Sequence, residues 1–311
     1  MTSDLVLARR ERVLGAMASA GVDVLVLGRQ DNAGYACGMR RLWTAGTRPF
    51  GAGCIVVGAT GRVHALSSWD DGIEPPMSFD DLYPLTWNPR IMAGSMAAID
   101  GLAEARLIGV DELTPSFRRA AAHFSPEADV VAADDLMAGV RLHKLPGEVE
   151  AIAESCAAAW VGVEAALDAP GHADPPAAAI KALANRGVTV PSSGVRAERR
   201  DRGLAVDVGV ICDLYEGGVG GLFADGRRLA PAALADACRS GASYADLATA
   251  AVSADWLVRG LGMGFEHPVI GPQIGFGERL EAGMVLCVTD GDRRDVIHVT
   301  ASGPVALSDR P

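Results

Sequence analysis

Asp207 is the residue whose type and position most directly raise a question of chemistry. It is the only charge in the apolar run at residues 205–211, AVDVGVI, and an unpaired carboxylate would be too costly to bury there. It is therefore a ligand, a catalytic group or a satisfied structural carboxylate. Histidine and cysteine offer no comparable constellation. His64, His123, His143, His172 and His298 have no helical pairing and no neighbouring cysteine that would suggest ligands. Cys37, Cys54, Cys156, Cys212, Cys238 and Cys287 are scattered, lie mostly in apolar runs and show no CxxC spacing. Buried free thiols are expected, not a disulfide frame or a zinc site.

The elements that must position Asp207 are legible in the periodicity. Apolar residues alternate up to Ile211 and the glycines at 217, 218, 220 and 221 then relax the pattern, so residues 205–226 read as strand, turn and strand. Upstream, residues 4–20 form a helix with Val6, Val13, Leu14 and Met17 on one side, ended by Gly21. Residues 22–27, 54–57 and 63–66 read as strands, with a turn at 58–61. Residues 69–95, with two tryptophans and several prolines and acids, read as an irregular loop holding at most one helical turn. Strands at 106–110 and 130–132 flank a helix near 115–124, which makes residues 1–140 a small α/β domain. Pro146 suits a first helical position, and Glu148 and Glu150 favour the positive end of a helix dipole. Val149, Ile152, Cys156, Trp160, Val163 and Leu167 continue that helix as a core-facing stripe. The domain boundary falls near 140–145, and residues 230–258 supply two helices joined at 239–244.

Composition bounds the partners. The 311 residues are 49% apolar and carry a formal charge of −11, which opposes binding to nucleic acid or an anionic membrane surface. The basic stretch at 196–202 is interrupted by acids and reads as a solvated loop. Charges at Arg9, Arg10 and Arg12 stand where a signal peptide needs an apolar stretch, and no segment approaches the roughly eighteen apolar residues of a membrane span. A cytoplasmic protein is expected.

Asp207, Gly209, Tyr215, Phe223 and Gly226 fall without a gap on the frame Asp-x-Gly-x-x-x-x-x-Tyr-x-x-Asp-x-x-Arg-x-Phe-x-x-Gly. In this the chain resembles the pita-bread metallohydrolases, the Xaa-Pro aminopeptidases, prolidases and creatinase. Arg141, Lys144 and Glu148 resemble the signature that opens the pita-bread domain, and Gly260, Gly262 and Gly264 keep the glycines of its third segment. Gly283, Met284 and the Val299-Thr300 pair match the fourth and last segments. The resemblance implies an α/β (α+β) fold in which residues 1–140 form a creatinase/prolidase-like N-terminal domain. Residues 141–311 would then be a shortened pita-bread domain, lacking the histidine-bearing connection before the first metal strand. It also implies a homodimer, with Trp43 and Arg48 at the rim of the partner's pocket.

The same resemblance implies a changed metal centre. The family's second metal aspartate falls at Gly218, its arginine at Gly221, its metal-binding histidine at Leu261, its bridging glutamate at Thr289 and its final carboxylate at Arg294. Leucine and glycine offer no ligand atom, and an arginine adds positive charge where metals would sit. No metal and no other cofactor is expected. Asp207 facing Arg294 would form a charge-assisted pair that either only fills the vacated space or belongs to a small polar site. In the second case His267 would act as general base beside Asp207 and Arg294, with Tyr215, Glu216, Glu266, Thr289, His298 and Arg48 contacting substrate. Asp290 and Asp292 are read as turn residues beside Gly291. The expected function is binding of a small molecule or peptide in this degenerate pocket, without metallopeptidase activity. The alternatives are a metal-independent, creatinase-like hydrolase or lyase acting on a small C–N substrate, and residual Xaa-Pro peptidase-type activity.

Overall fold

Helix and strand periodicities alternate through the first half of the chain, then give way to long antiparallel strands. The computed structural model describes residues 3–38, 53–66, 78–83, 89–111, 115–170, 174–188, 194–229, 231–275 and 277–310. They divide into two units, Met1–Val140 and Arg141–Pro311.

The first unit runs α1 (Ser3–Ala20), β1 (Val24–Leu27), α2 (Gln30–Cys37), β2 (Cys54–Val57), β3 (Arg62–Leu66), β4 (Leu82–Tyr83), α3 (Pro89–Ala97), β5 (Leu107–Val110), α4 (Pro115–Phe124), β6 (Asp129–Ala132) and α5 (Asp134–Leu142). Its sheet has the order β4-β3-β2-β1-β5-β6, with β1 antiparallel to β2 and parallel to β5. Central β1 is buried at every residue, as a strand covered on both faces must be. Val24, Val26, Ile55, Ile108 and Val110 pack against Met96, Leu102 and Phe124 to form one core layer.

Tyr35 and Gly38, which stand at the spacing of the Tyr-Leu-Thr-Gly turn that the resemblance implies, form instead the end of α2, closed by Gly38 in the left-handed region at φ 75°. Its start is held from far away in sequence, which local pattern does not reveal. The buried Asp111 carboxylate accepts the backbone N–H groups of Gly28 (2.7 Å) and Arg29 (3.0 Å) and the Asn32 side-chain amide (3.0 Å). Burial pushes Asp111 up to about 6 despite these donors. Within 69–95, the described residues form a 3-10 turn at Phe79–Asp81, then β4 and the start of α3, more order than the sequence pattern suggests.

The second unit runs α6 (Pro146–Leu167), α7 (Pro175–Asn185), β7 (Val195–Arg200), β8 (Gly203–Cys212), β9 (Tyr215–Ala224), β10 (Arg227–Arg228), α8 (Ala233–Ala237), α9 (Tyr244–Ala250), β11 (Leu257–Gly262), β12 (Gly264–Ile270), β13 (Val285–Asp290), β14 (Arg293–Thr300) and β15 (Gly303–Ala306). Its sheet has the order β12-β11-β13-β14-β9-β8-β7, with β10 added to β9 and β15 to β14. The basic stretch read as a loop is in fact edge strand β7 and its turn. Pairing with β8 overrides its polar composition, and its side chains remain largely exposed.

Alternation assigns the two faces of this sheet. Val206, Val208, Val210, Val219 and Phe223 pack under α6 and α7, and Val258, Leu286, Val288, Ile297 and Val299 form a cluster with Leu234 and Leu247 of α8 and α9. Helix α6 comes so close to β9 that a Cβ on Gly217 would lie 2.4 Å from the Ser155 backbone carbon. The Ser155 hydroxyl donates to the Tyr215 carbonyl across the same contact (3.1 Å). The opposite face bears Asp207 and Arg294, beside the buried Val285, Cys287 and Val296. All six cysteines are free, and all but the half-buried Cys212 are buried.

Candidate functional site

Register brings one row of residues together on the face opposite the helices. Leu257 of β11 pairs with Thr289 of β13, Thr289 with Arg294 of β14, Arg294 with Gly220 of β9, Gly220 with Asp207 of β8, and Asp207 with Arg196 of β7. Side chains directly opposite share a face. Asp207 is thus flanked by arginines on both sides, one across β9 and one on the edge strand.

Arg294 Nη2 donates to Asp207 Oδ2 at 2.8 Å, with Arg294 20% and Asp207 28% exposed. The guanidinium lies flat on a bed of glycines. A Cβ on Gly209 or on Gly218 would stand 2.8 Å from Arg294 Nη1, and one on Gly220 would stand 2.7 Å from Asp207 Oδ1. The missing side chain at 218 is therefore a condition for Arg294 to reach Asp207. Asp207 Oδ1 is buried and has no hydrogen-bond partner among the described residues. Burial raises the Asp207 carboxyl above its usual range, against the opposing pull of Arg294 and Arg196.

A second pair stands on the same face. Glu216 of β9 accepts from Arg259 Nη2 of β11, in a pair less exposed than the first. Arg259 lies opposite Cys287, whose thiol burial holds above its ordinary value and so in its unreactive form. Thr289 stands beside Arg294 in the row, and His298 is four residues further along β14 on the same face. Desolvation lowers His298, which favours the neutral ring.

The structure does not bring the other expected residues here. Glu266 is buried among cations, accepting from Arg141 (2.6 Å), Lys144 (2.9 Å) and the Met263 backbone N–H (2.9 Å). It anchors the segment before α6 to β12, and the two cations outweigh burial to hold its carboxyl below the ordinary range. Tyr215 is fully buried on the helix face and donates to Glu148 of α6 (3.1 Å). His267 is exposed on β12, and no hydrogen bond links it to Asp207 or Arg294 among the described residues. A bulge between Arg259 and Gly260 shifts the β11–β12 register at this point, so alternation alone could not place it. Asp290 accepts the Val252 (2.9 Å) and Ser253 (2.6 Å) backbone N–H groups as a turn residue. Arg48 and Trp43 lie outside the described residues.

Sequence reasoning missed three arginines. Arg259 is the only charge in the Leu257–Gly262 strand, the same signal that singled out Asp207, and Arg196 was hidden in the stretch read as loop. The third, Arg228 on β10, bends over Gly221, where a Cβ would stand 2.7 Å from its Nε. It reaches Asp295 Oδ1 at 2.6 Å and the Arg294 carbonyl at 2.5 Å. An arginine side chain thus fills the place where the resemblance expects one, supplied by a neighbouring strand.

These residues do not fit a dinuclear metal centre. Of the five expected ligand positions only Asp207 carries a carboxylate or imidazole, Thr289 offers a neutral hydroxyl, one Asp207 oxygen is taken by a guanidinium, and a second arginine stands opposite it on β7. Among the described residues no group of three or more histidine, cysteine, aspartate or glutamate side chains could hold a metal ion. A cavity of about 1150 Å³ does open in this unit, but beside the end of α6 and the β7–β8 turn, lined by Trp160, Arg199, Arg202, Phe223 and Asp225. Its lining mixes acids with arginines, of which Arg310 pairs with Glu164 at 2.8 Å.

No family model and no curated protein sequence matches this chain. Solved structures do. A prolidase from Pyrococcus furiosus aligns with a TM-score of 0.70 at 16% identity, covering 97% of this chain and 99% of its own. A prolidase from Pyrococcus horikoshii gives 0.69 at 13% identity, covering 98% and 99%. An X-Pro aminopeptidase from Thermotoga maritima gives 0.67 at 14% identity, covering 96% and 98%. From end to end, this chain has the pita-bread fold of the prolidases and X-Pro aminopeptidases.

Proposed function

We propose that this protein is a metal-independent binder of a small molecule or peptide, built on the pita-bread scaffold and using the sheet face that carries Asp207 and Arg294. The observation that supports this reading is the bed of Gly209, Gly218 and Gly220, on which Arg294 reaches Asp207 at 2.8 Å. A guanidinium so placed takes up the first carboxylate of the expected metal centre and excludes a side chain at the second. Fold likeness at this identity does not carry activity across, since activity belongs to sites. The catalytic alternative, with His267 as general base on a small C–N substrate, has less support, because no carboxylate orients that ring among the described residues.

The test is metal analysis of the purified protein, followed by assay of Xaa-Pro dipeptides with manganese, cobalt or zinc added. The expected result is no stoichiometric metal and no metal-dependent cleavage. Two tightly bound metal equivalents with activity that depends on them would overturn the proposal.

A further inference from the structure

On the face opposite the helices, Arg259 and Arg294 are paired with Glu216 and Asp207, Arg200 lies between Glu198 (2.9 Å) and Asp292 (3.7 Å), and Arg196 of edge strand β7 stands opposite Asp207. The Asp207 and Glu216 carboxylates are already engaged by guanidinium groups of the chain itself, and one Asp207 oxygen is buried. The donors are not used up. Arg294 spends a single N–H contact on Asp207, its Nη1 and Nε make no hydrogen bond among the described residues, and neither is among the buried unpartnered atoms. Arg196 is exposed and has no ion pair among the described residues. A guanidinium offers five N–H donors in a fork that matches a carboxylate.

We infer that this face binds a carboxylate-bearing small molecule, held by the free edge of Arg294 and by Arg196, beside the Thr289 hydroxyl. The site has inverted its charge preference: positions that resemble those of a cation-binding centre now present cations to an anion. Arg196 and Arg294 lie three strand spacings apart, about 14 Å between Cα atoms, so two extended arginine arms converge above Asp207. This rests on the metal-independent reading above.

The experiment uses the full chain with sodium succinate and sodium acetate as probes, sodium chloride at matched ionic strength as control, and methylammonium chloride as a cationic probe. Thermal unfolding and titration calorimetry are the readouts, since a ligand that binds only the folded state raises apparent stability. Succinate is expected to give a saturable shift that chloride does not. Arg196→Gln, an exposed substitution that spares the fold, should weaken succinate about tenfold or more, in line with one charge-assisted contact. Arg294→Lys, which keeps the charge and loses the fork, should weaken it further. Succinate no better than chloride, or equal affinity in Arg196→Gln, overturns the inference. Saturable binding of methylammonium instead overturns the ligand class and leaves the metal-independent reading standing. Stoichiometric metal binding overturns both.

Discussion

Removing Arg294 tests whether the Asp207 pair fills the place of a metal centre or merely decorates a surface. Replacing it by methionine keeps the aliphatic stem on the glycine bed and deletes the charge. Asp207 is then left with one oxygen already unpartnered and the other deprived of its donor. An exposed pair is worth at most about 1 kcal/mol and breaking a fully buried one costs about 3–5 kcal/mol, so partial exposure places Arg294→Met at about 2–3 kcal/mol. Asp207→Asn alone should cost less, because a neutral amide needs no counter-charge. The double variant should show a coupling of about 1–2 kcal/mol in urea unfolding.

The pH dependence sharpens the test. Burial, opposed by Arg294, raises the folded-state value of Asp207 above its unfolded value of about 4. The stability this residue confers is therefore greatest in acid and falls as pH rises through that raised value. Without Arg294 the folded value rises further, so the cost of Arg294→Met should grow with pH through this window and shrink below about pH 4. Additivity within about 0.5 kcal/mol, or a cost that grows toward acid, would refute the reasoning.

Other expectations follow from the same geometry. Gly217→Ala pushes a Cβ to 2.4 Å from the α6 backbone, which cannot yield, whereas Gly218→Ala meets the far end of Arg294; equilibrium unfolding should show that Arg294→Met rescues the second and not the first. Glu266→Gln leaves Lys144 and Arg141 without their carboxylate and should cost about 3–5 kcal/mol at pH 7. Because the folded-state value of Glu266 is depressed, its contribution is present at neutral pH and lost as pH falls through that value, so the variant should flatten the acid limb of stability measured from pH 7 downward. We also expect a homodimer; a monomeric mass at micromolar concentration by light scattering would remove that expectation.

Where one side of an element faces a core, the sequence was a sufficient guide. The stripe from Ile152 to Val163 on α6 and the alternation through Val206, Val208 and Val210 each bury the face their spacing indicates. Legibility failed where a distant partner decides. Helix α2 depends on Asp111, about eighty residues downstream, and β7 becomes a strand only because β8 offers it a ladder. Glu266 and Tyr215 were expected at the site because they lie within aligned motifs, but alternation and the β11–β12 bulge direct them elsewhere. Asp207 and Arg294 met as expected because both sit on regular strands whose register spans a single intervening residue, Gly220.

The glycines and arginines of this face depend on one another. Arg294 can lie on the sheet only if position 218 has no side chain, and an aspartate there would collide with the guanidinium at its first carbon. Once Arg294 is present, Asp207 no longer needs a metal to offset its charge. Glu216 is likewise answered by Arg259. At Gly221 the same logic runs the other way: the expected side chain is gone, and Arg228 arrives from β10 to fill its space and bind Asp295. Each glycine is occupied by an arginine from another strand, so restoring one ligand alone should create a clash or an unpaired charge before it creates a site. A dinuclear centre of the expected kind would need ligands at Gly218, Leu261, Thr289 and Arg294 together. The glycine bed that seats Arg294 against Asp207 is thus also the structural basis of the anion-binding face proposed above.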